Sequence, residues 1–169
     1  MNERMNERYL YKAKRLDNGE WVGGYYAKGL DMYENEVHLI FDPTTIFYSD
    51  GKTDGFEEID SSTLCQYTEL KDENGILICE NDIVNFLGHI GLVTYEAGSF
   101  GIAFKQYIDW EEIKSNIEPA TGCNNSLYAC ENDNYISFWE ILWNFDYLST
   151  VYVIGNIFDN PELLESENE

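Results

Sequence analysis

Lysine and arginine are scarce in this chain, ten against 32 aspartates and glutamates in 169 residues, for a formal net charge of -22. Half of the ten stand in the first fifteen positions, as Arg4, Arg8, Lys12, Lys14 and Arg15. From Leu16 onward five cations face thirty acids. Such a body repels phosphate, so direct nucleic-acid binding is not expected. Two readings of the acidity remain. One is a solvated surface, which is preferred because acidic domains are common. The other is a surface that imitates nucleic acid and occupies a basic groove on another protein.

Histidine is rarer still, at His38 and His89, and neither stands near a cysteine in sequence. The four cysteines, Cys65, Cys79, Cys123 and Cys130, contain no C-x-x-C pair, which argues against zinc. No secretory signal precedes them, so reduced thiols are expected, and the apolar neighbours of Cys65 and Cys79 mark both as small core residues. No apolar run approaches the roughly 20 residues of a membrane-spanning helix, and no membrane association is expected. No G-x-S-x-G elbow is present, and the glycines from Gly19 to Gly24 do not lead into a helix. Asp50-x-Lys52-x-Asp54-Gly55 has the outline of a calcium loop, but Lys52 and Ser61 occupy positions that need oxygen-rich acids. A Cys–His nucleophile would need Cys65 or Cys79 beside His38 or His89, and their apolar neighbours favour inert thiols instead. The acid pairs Glu57–Glu58 and Glu111–Glu112 read as solvated surface. No catalytic constellation emerges, so neither an enzyme nor a cofactor is expected.

Aromatic residues are plentiful, with 13 Tyr, 9 Phe and 4 Trp, enough to build a core. The first eight residues contain a four-residue duplication and are read as a frayed end, with translation able to start at Met1 or Met5. From Tyr9 the pattern is β. Turn residues punctuate it at Asp17–Asn18–Gly19, Asp42–Pro43, Asp72–Glu73–Asn74–Gly75 and Gly98–Ser99. Residues 60–63 read as a polar break between two strand-like stretches. Short strands at this spacing indicate a small barrel or sandwich. Asp109 is a candidate N-cap for a short helix that ends before Pro119, and residues 121–134 read as an Asn-rich loop. Residues 136–145 fit neither a period of two nor of 3.6, and helix is preferred. Residues 151–157 form a strand, and Asn160–Pro161 reads as N-cap and first position of a helical turn.

The stretch from Ile59 through Gln66, Tyr67, Thr68 and Asp72 to Gly75, followed by Asp82, Ile83 and Val84, resembles the signature of the YopX family. The closing block with Gly155, Asn156, Asn160 and Pro161 is similar to that family's C-terminal block, and the strand pair around Asp17–Gly24 also fits. The resemblance implies a bacteriophage or prophage protein in the bacterial cytoplasm, with a mainly β fold built on an SH3-like barrel. It implies no activity and no catalytic residue. The family usually carries Gly where Glu69 and Asn81 stand here. Asn tolerates positive φ, whereas Glu69 implies either a changed turn or a backbone that never needed Gly.

The resulting expectation is a β-rich α+β chain with one or two short helices. A frayed end covers 1–8, an N-terminal β region 9–61, and an SH3-like barrel 62–164 with a variable insertion at about 108–150; an acidic tail covers 165–169. The signature residues are read as fold-defining. Phe138, Trp139, Trp143 and Tyr147 are candidate contacts for a protein partner from phage or host, or for self-association.

Overall fold

The computed structural model describes residues 9–47, 49, 53–96, 98–110, 113, 134–144 and 150–165, with only the main chain for 43–47, 53, 143 and 144. The frayed end, Cys123, Cys130, most of the Asn-rich loop, Tyr147, the side chain of Trp143 and the tail beyond Glu165 lie outside the described residues. The fold is mainly β. Among the described residues ten strands run as β1 (Leu10–Arg15), β2 (Trp21–Leu30), β3 (Glu36–Phe47), β4 (Thr53–Lys71), β5 (Leu77–Cys79), β6 (Asp82–Phe86), β7 (His89–Glu96), β8 (Ser99–Ala103), β9 (Tyr135–Ser137) and β10 (Val151–Asn156). Among the described residues, a short α-helix, α1 (Phe138–Asn144), lies between β9 and β10, and a 3-10 turn (Pro161–Leu164) follows β10. The chain divides into two compact units, Met1–Glu69 and Leu70–Glu169; the sequence reading put that boundary after residue 61.

In the first unit, β1 through β4 pair in sequence as antiparallel neighbours, and β4 also pairs with β1, so the four strands return on themselves. The β1–β2 turn follows the sequence reading: Gly19 takes φ 72 and donates its N–H to Arg15 O. The small core of this unit is Ala13, Ile40 and Ile59, flanked by Tyr11, Val22, Tyr26 and Leu64. Two expectations are corrected here. β3 continues through Pro43, because residues 42–45 bulge out opposite the single Gly55 of β4 and no ladder N–H is required of the proline. β4 continues through 60–63: Asp60 pairs with Lys14, and residues 61–64 stand in a bulge opposite Ala13. Their polar groups are used there: Lys14 N–H donates to Thr63 Oγ1 at 2.8 Å, and Ser62 N–H donates to Asp60 Oδ1 at 3.0 Å.

In the second unit, a five-stranded antiparallel sheet runs in the order β10–β6–β7–β8–β9, a partly closed barrel of SH3-like type. Its inward face carries Val84, Phe86, Val93, Ile102, Ile136 and Val151, all fully buried, and Ile78 of β5 belongs to the same core. Phe104, Ile108, Trp110 and Ile113 from the segment after β8 extend this core, as do Phe138 and Ile141 of α1. Gly91 leaves no room for a side chain, because the Ile102 side chain occupies the place a β-carbon would take and the Phe104 ring lies 3.0 Å from it.

Glu69 and Asn81, where the resemblance implies Gly, both take the left-handed conformation, with φ of 69 and 66. The backbone at Glu69, within β4, is therefore the one that favours glycine, which corrects both alternatives drawn from the sequence. A side chain other than Asn at such a position costs about 1 kcal/mol. Glu69→Gly should raise stability by about 0.5–1 kcal/mol in urea denaturation, Glu69→Val should lower it, and Asn81→Gly should change it by less than about 0.5 kcal/mol. Equal stability of the unaltered chain and the two position-69 variants would contradict the strain.

Candidate functional site

The signature residues build the frame. The Asp72 carboxylate, 5% exposed, accepts three main-chain N–H bonds. Oδ1 takes those of Asn74 (2.9 Å) and Ile76 (2.8 Å), and Oδ2 takes that of Val153 in β10 (3.1 Å). Gly75 closes the same turn at φ 80. Asp82, 1% exposed, accepts the Cys79 N–H at 2.7 Å, the service expected of an acid entering a strand. Ile83 and Val84 are fully buried. Gln66 stands opposite Tyr11 in the β1–β4 ladder, the Tyr67 hydroxyl fills the space above Gly23, and Thr68 is buried. Asn156 Oδ1 accepts the N–H groups of Phe158 and Asp159 at 3.0 Å. Asn160 corrects an expectation: its side chain makes no cap bond and lies over Gly155, 2.6 Å from the place a β-carbon would take. Its main-chain carbonyl accepts the Leu163 N–H instead, with Pro161 opening the 3-10 turn as expected.

Of the four aromatic candidates, the structure describes the side chains of two and separates them. Phe138 is 3% exposed and belongs to the core of the second unit, so it is a packing residue. Trp139, its neighbour, is 70% exposed. The helix that carries it is set by a capping box. Ser137 Oγ accepts the Glu140 N–H at 3.2 Å, and Glu140 Oε2 accepts the Ser137 N–H at 2.8 Å. The spacing Ser137-x-x-Glu140 is a helix-start signal that hydrophobic periodicity misses.

A second surface, in the first unit, was not singled out from sequence. β1 pairs with β2 only as far as Tyr25, and β4 pairs with β3 only from Leu39. Lys28–Leu30 and Glu36–His38 therefore form a two-stranded arm. At its tip Leu30, Met32 and Tyr33 are 67%, 85% and 75% exposed. Asp31 orders the turn. Its Oδ1 accepts the N–H groups of Tyr33 (2.8 Å) and Asn35 (2.9 Å), and its Oδ2 accepts the Asn35 amide at 3.0 Å. The pattern Asp31-x-x-x-Asn35 between two strands was the available signal.

Side-chain bonds stiffen the base of the arm. Tyr26 Oη and His38 Nδ1 are 2.7 Å apart, and His38 Nε2 and Glu36 Oε1 are 2.9 Å apart. A carboxylate only accepts, so in the neutral ring Nε2 carries the hydrogen and the Tyr26 hydroxyl donates to Nδ1. Glu36 Oε2 also holds Lys28 Nζ at 2.7 Å. Lys28 is the larger cause that holds the Glu36 carboxyl below its ordinary range, with His38 second, and Glu36 in turn raises Lys28. Such a chain can orient a proton, but Tyr26 packs on the core cluster and its ring lies nearly parallel to the His38 ring, so the arrangement serves rigidity.

Among the described residues, no group of three or more His, Cys, Asp or Glu could hold a metal ion, and no helix is long and apolar enough to cross a membrane. Cys65 and Cys79 are buried thiols outside any disulfide, as their neighbours implied. A depression lined by Ile90, Lys105, Gln106, Leu163 and Leu164 has room for about one water.

Residues 11–165 match the family described as YopX protein. The chain belongs to the YopX family. It is similar in structure to protein yopX from Bacillus subtilis, solved by X-ray crystallography, at 14% identity and a TM-score of 0.45, over 93% of this chain and 98% of that one. No curated protein matches the chain. In this YopX chain the signature residues lie at turns, strand entries and close approaches, whereas Trp139 and the tip of the arm face solvent.

The Asn35 amide, followed by the N–H groups of Asn35 and Tyr33, holds the Asp31 carboxyl below its ordinary value of 3.8. A depressed acid contributes stability above that value and loses it as pH falls through the lowered one. The amide resonances of Tyr33 and Asn35 should therefore titrate together with a midpoint below 3.8, and Asp31→Ala should abolish the transition. A shared midpoint at or above 3.8 would contradict the turn geometry.

Proposed function

We propose that this chain is a non-enzymatic protein-interaction module of phage or prophage origin, acting in the bacterial cytoplasm on a phage or host protein. The observation that carries this reading is Trp139, 70% exposed on a helix fixed by the Ser137–Glu140 box. Tryptophan left in water on a rigid element is a preferred anchor of protein interfaces. The cations of β1 support a reading without nucleic acid. Lys12 and Lys14 lie over the Trp21 ring at 5.2 and 5.5 Å, and Arg15 bridges Asp17 and Glu57. The nucleic-acid-mimic reading rests on net charge alone.

Trp139→Ala in the full chain should weaken capture of the partner at least about tenfold while circular dichroism stays native. Undiminished capture would remove Trp139 as the anchor. A complex released by salt alone would favour the mimic reading.

A further inference from the structure

The two-stranded arm of the first unit combines three properties of a docking element. It is ordered before binding: Asp31 N–H donates to Asn35 O, Glu34 N–H donates to Asp31 O, and the Asp31 side chain holds three further hydrogens. Little conformational freedom is left to lose on association. It is apolar at the tip, where Leu30, Met32 and Tyr33 expose most of their surface in a chain with ample core to bury such residues. It is acidic around that tip, because Lys28 is neutralised by Glu36, and among the described residues no cation pairs with Asp31 or the exposed Glu34.

We propose that this arm inserts Leu30, Met32 and Tyr33 into an apolar pocket, rimmed by Lys or Arg, on a different protein. The charge decides against a second copy of this chain, since two bodies of net charge -22 repel each other on approach. A cationic rim is attracted by the same field, which speeds encounter and selects the partner, while the apolar tip sets the residence time. The chain of bonds through Lys28, Glu36, His38 and Tyr26 anchors the arm to the core of its own unit, so the tip is presented on a stiff base. The inference rests on the reading of the chain as an interaction module but is independent of Trp139, which lies in the other unit.

The test is an NMR titration of the full chain with three short peptides: one of Lys, Leu and Phe; one of Glu, Leu and Phe; one of Lys and Ser. The Lys–Leu–Phe peptide should shift the amides of residues 30–34 and bind at least about tenfold more tightly than either control. Met32→Ser with Tyr33→Ser should remove that preference, with little risk to the fold because both side chains are mostly in solvent. Added salt should weaken binding without abolishing it. Several results would overturn the proposal: no binding, equal binding of either control, shifts spread over the acidic surface that survive the double substitution, or a dimer that the same substitution dissolves. Trp139→Ala should leave the arm's preference intact. If the arm fails while partner capture still depends on Trp139, the module reading stands and this inference falls.

Discussion

The Asp72 carboxylate joins the two ends of the signature into one frame. Two of its three donors belong to the turn it opens, and the third, Val153, is 81 positions further along the chain. A buried anion needs such donors, and a buried ladder N–H at the start of a late strand needs an acceptor. One side chain meets both needs and places β10 against the hairpin that precedes β6. β10 then pairs with β6 from Val151↔Phe86 to Asn156↔Asp82, so the barrel sheet depends on that placement.

Around this tie the other signature residues perform similar local tasks. Asp82 satisfies the Cys79 N–H, Gly155 admits the Asn160 side chain, and Asn156 orders the chain into the 3-10 turn. None of them points to a substrate. The groups open to recognition lie elsewhere: Trp139 on a short capped helix and three large apolar side chains at the end of an arm. The division is between a frame that specifies the fold and side chains that face solvent.

Turns were legible from sequence where one residue type decides the backbone, as at Gly19 and Gly75, both left-handed. The buried strands and the buried thiols were legible from apolar runs. Pro43 and residues 60–63 misled, because their polar or ring character reads as a break when only local chemistry is considered. Here partner strands absorb the irregularity as bulges, a tertiary effect with no local trace. The helix at 138–144 was ambiguous by periodicity but carried a readable start signal in Ser137 and Glu140. Phe138 and Trp139 are adjacent aromatics with opposite fates, 3% and 70% exposed, and only the helix phase against the core separates them. The arm was missed because its significance lies in where its neighbouring strands stop pairing.

The central claim is that the signature defines the fold through the Asp72 tie. The most direct measurement is urea unfolding of Asp72→Ala together with hydrogen exchange of the Asn74, Ile76 and Val153 amides. Three N–H groups losing a charged acceptor should cost about 3 kcal/mol or more, and all three amides, Val153 included, should exchange faster together. Unchanged stability with Val153 still protected would contradict the account.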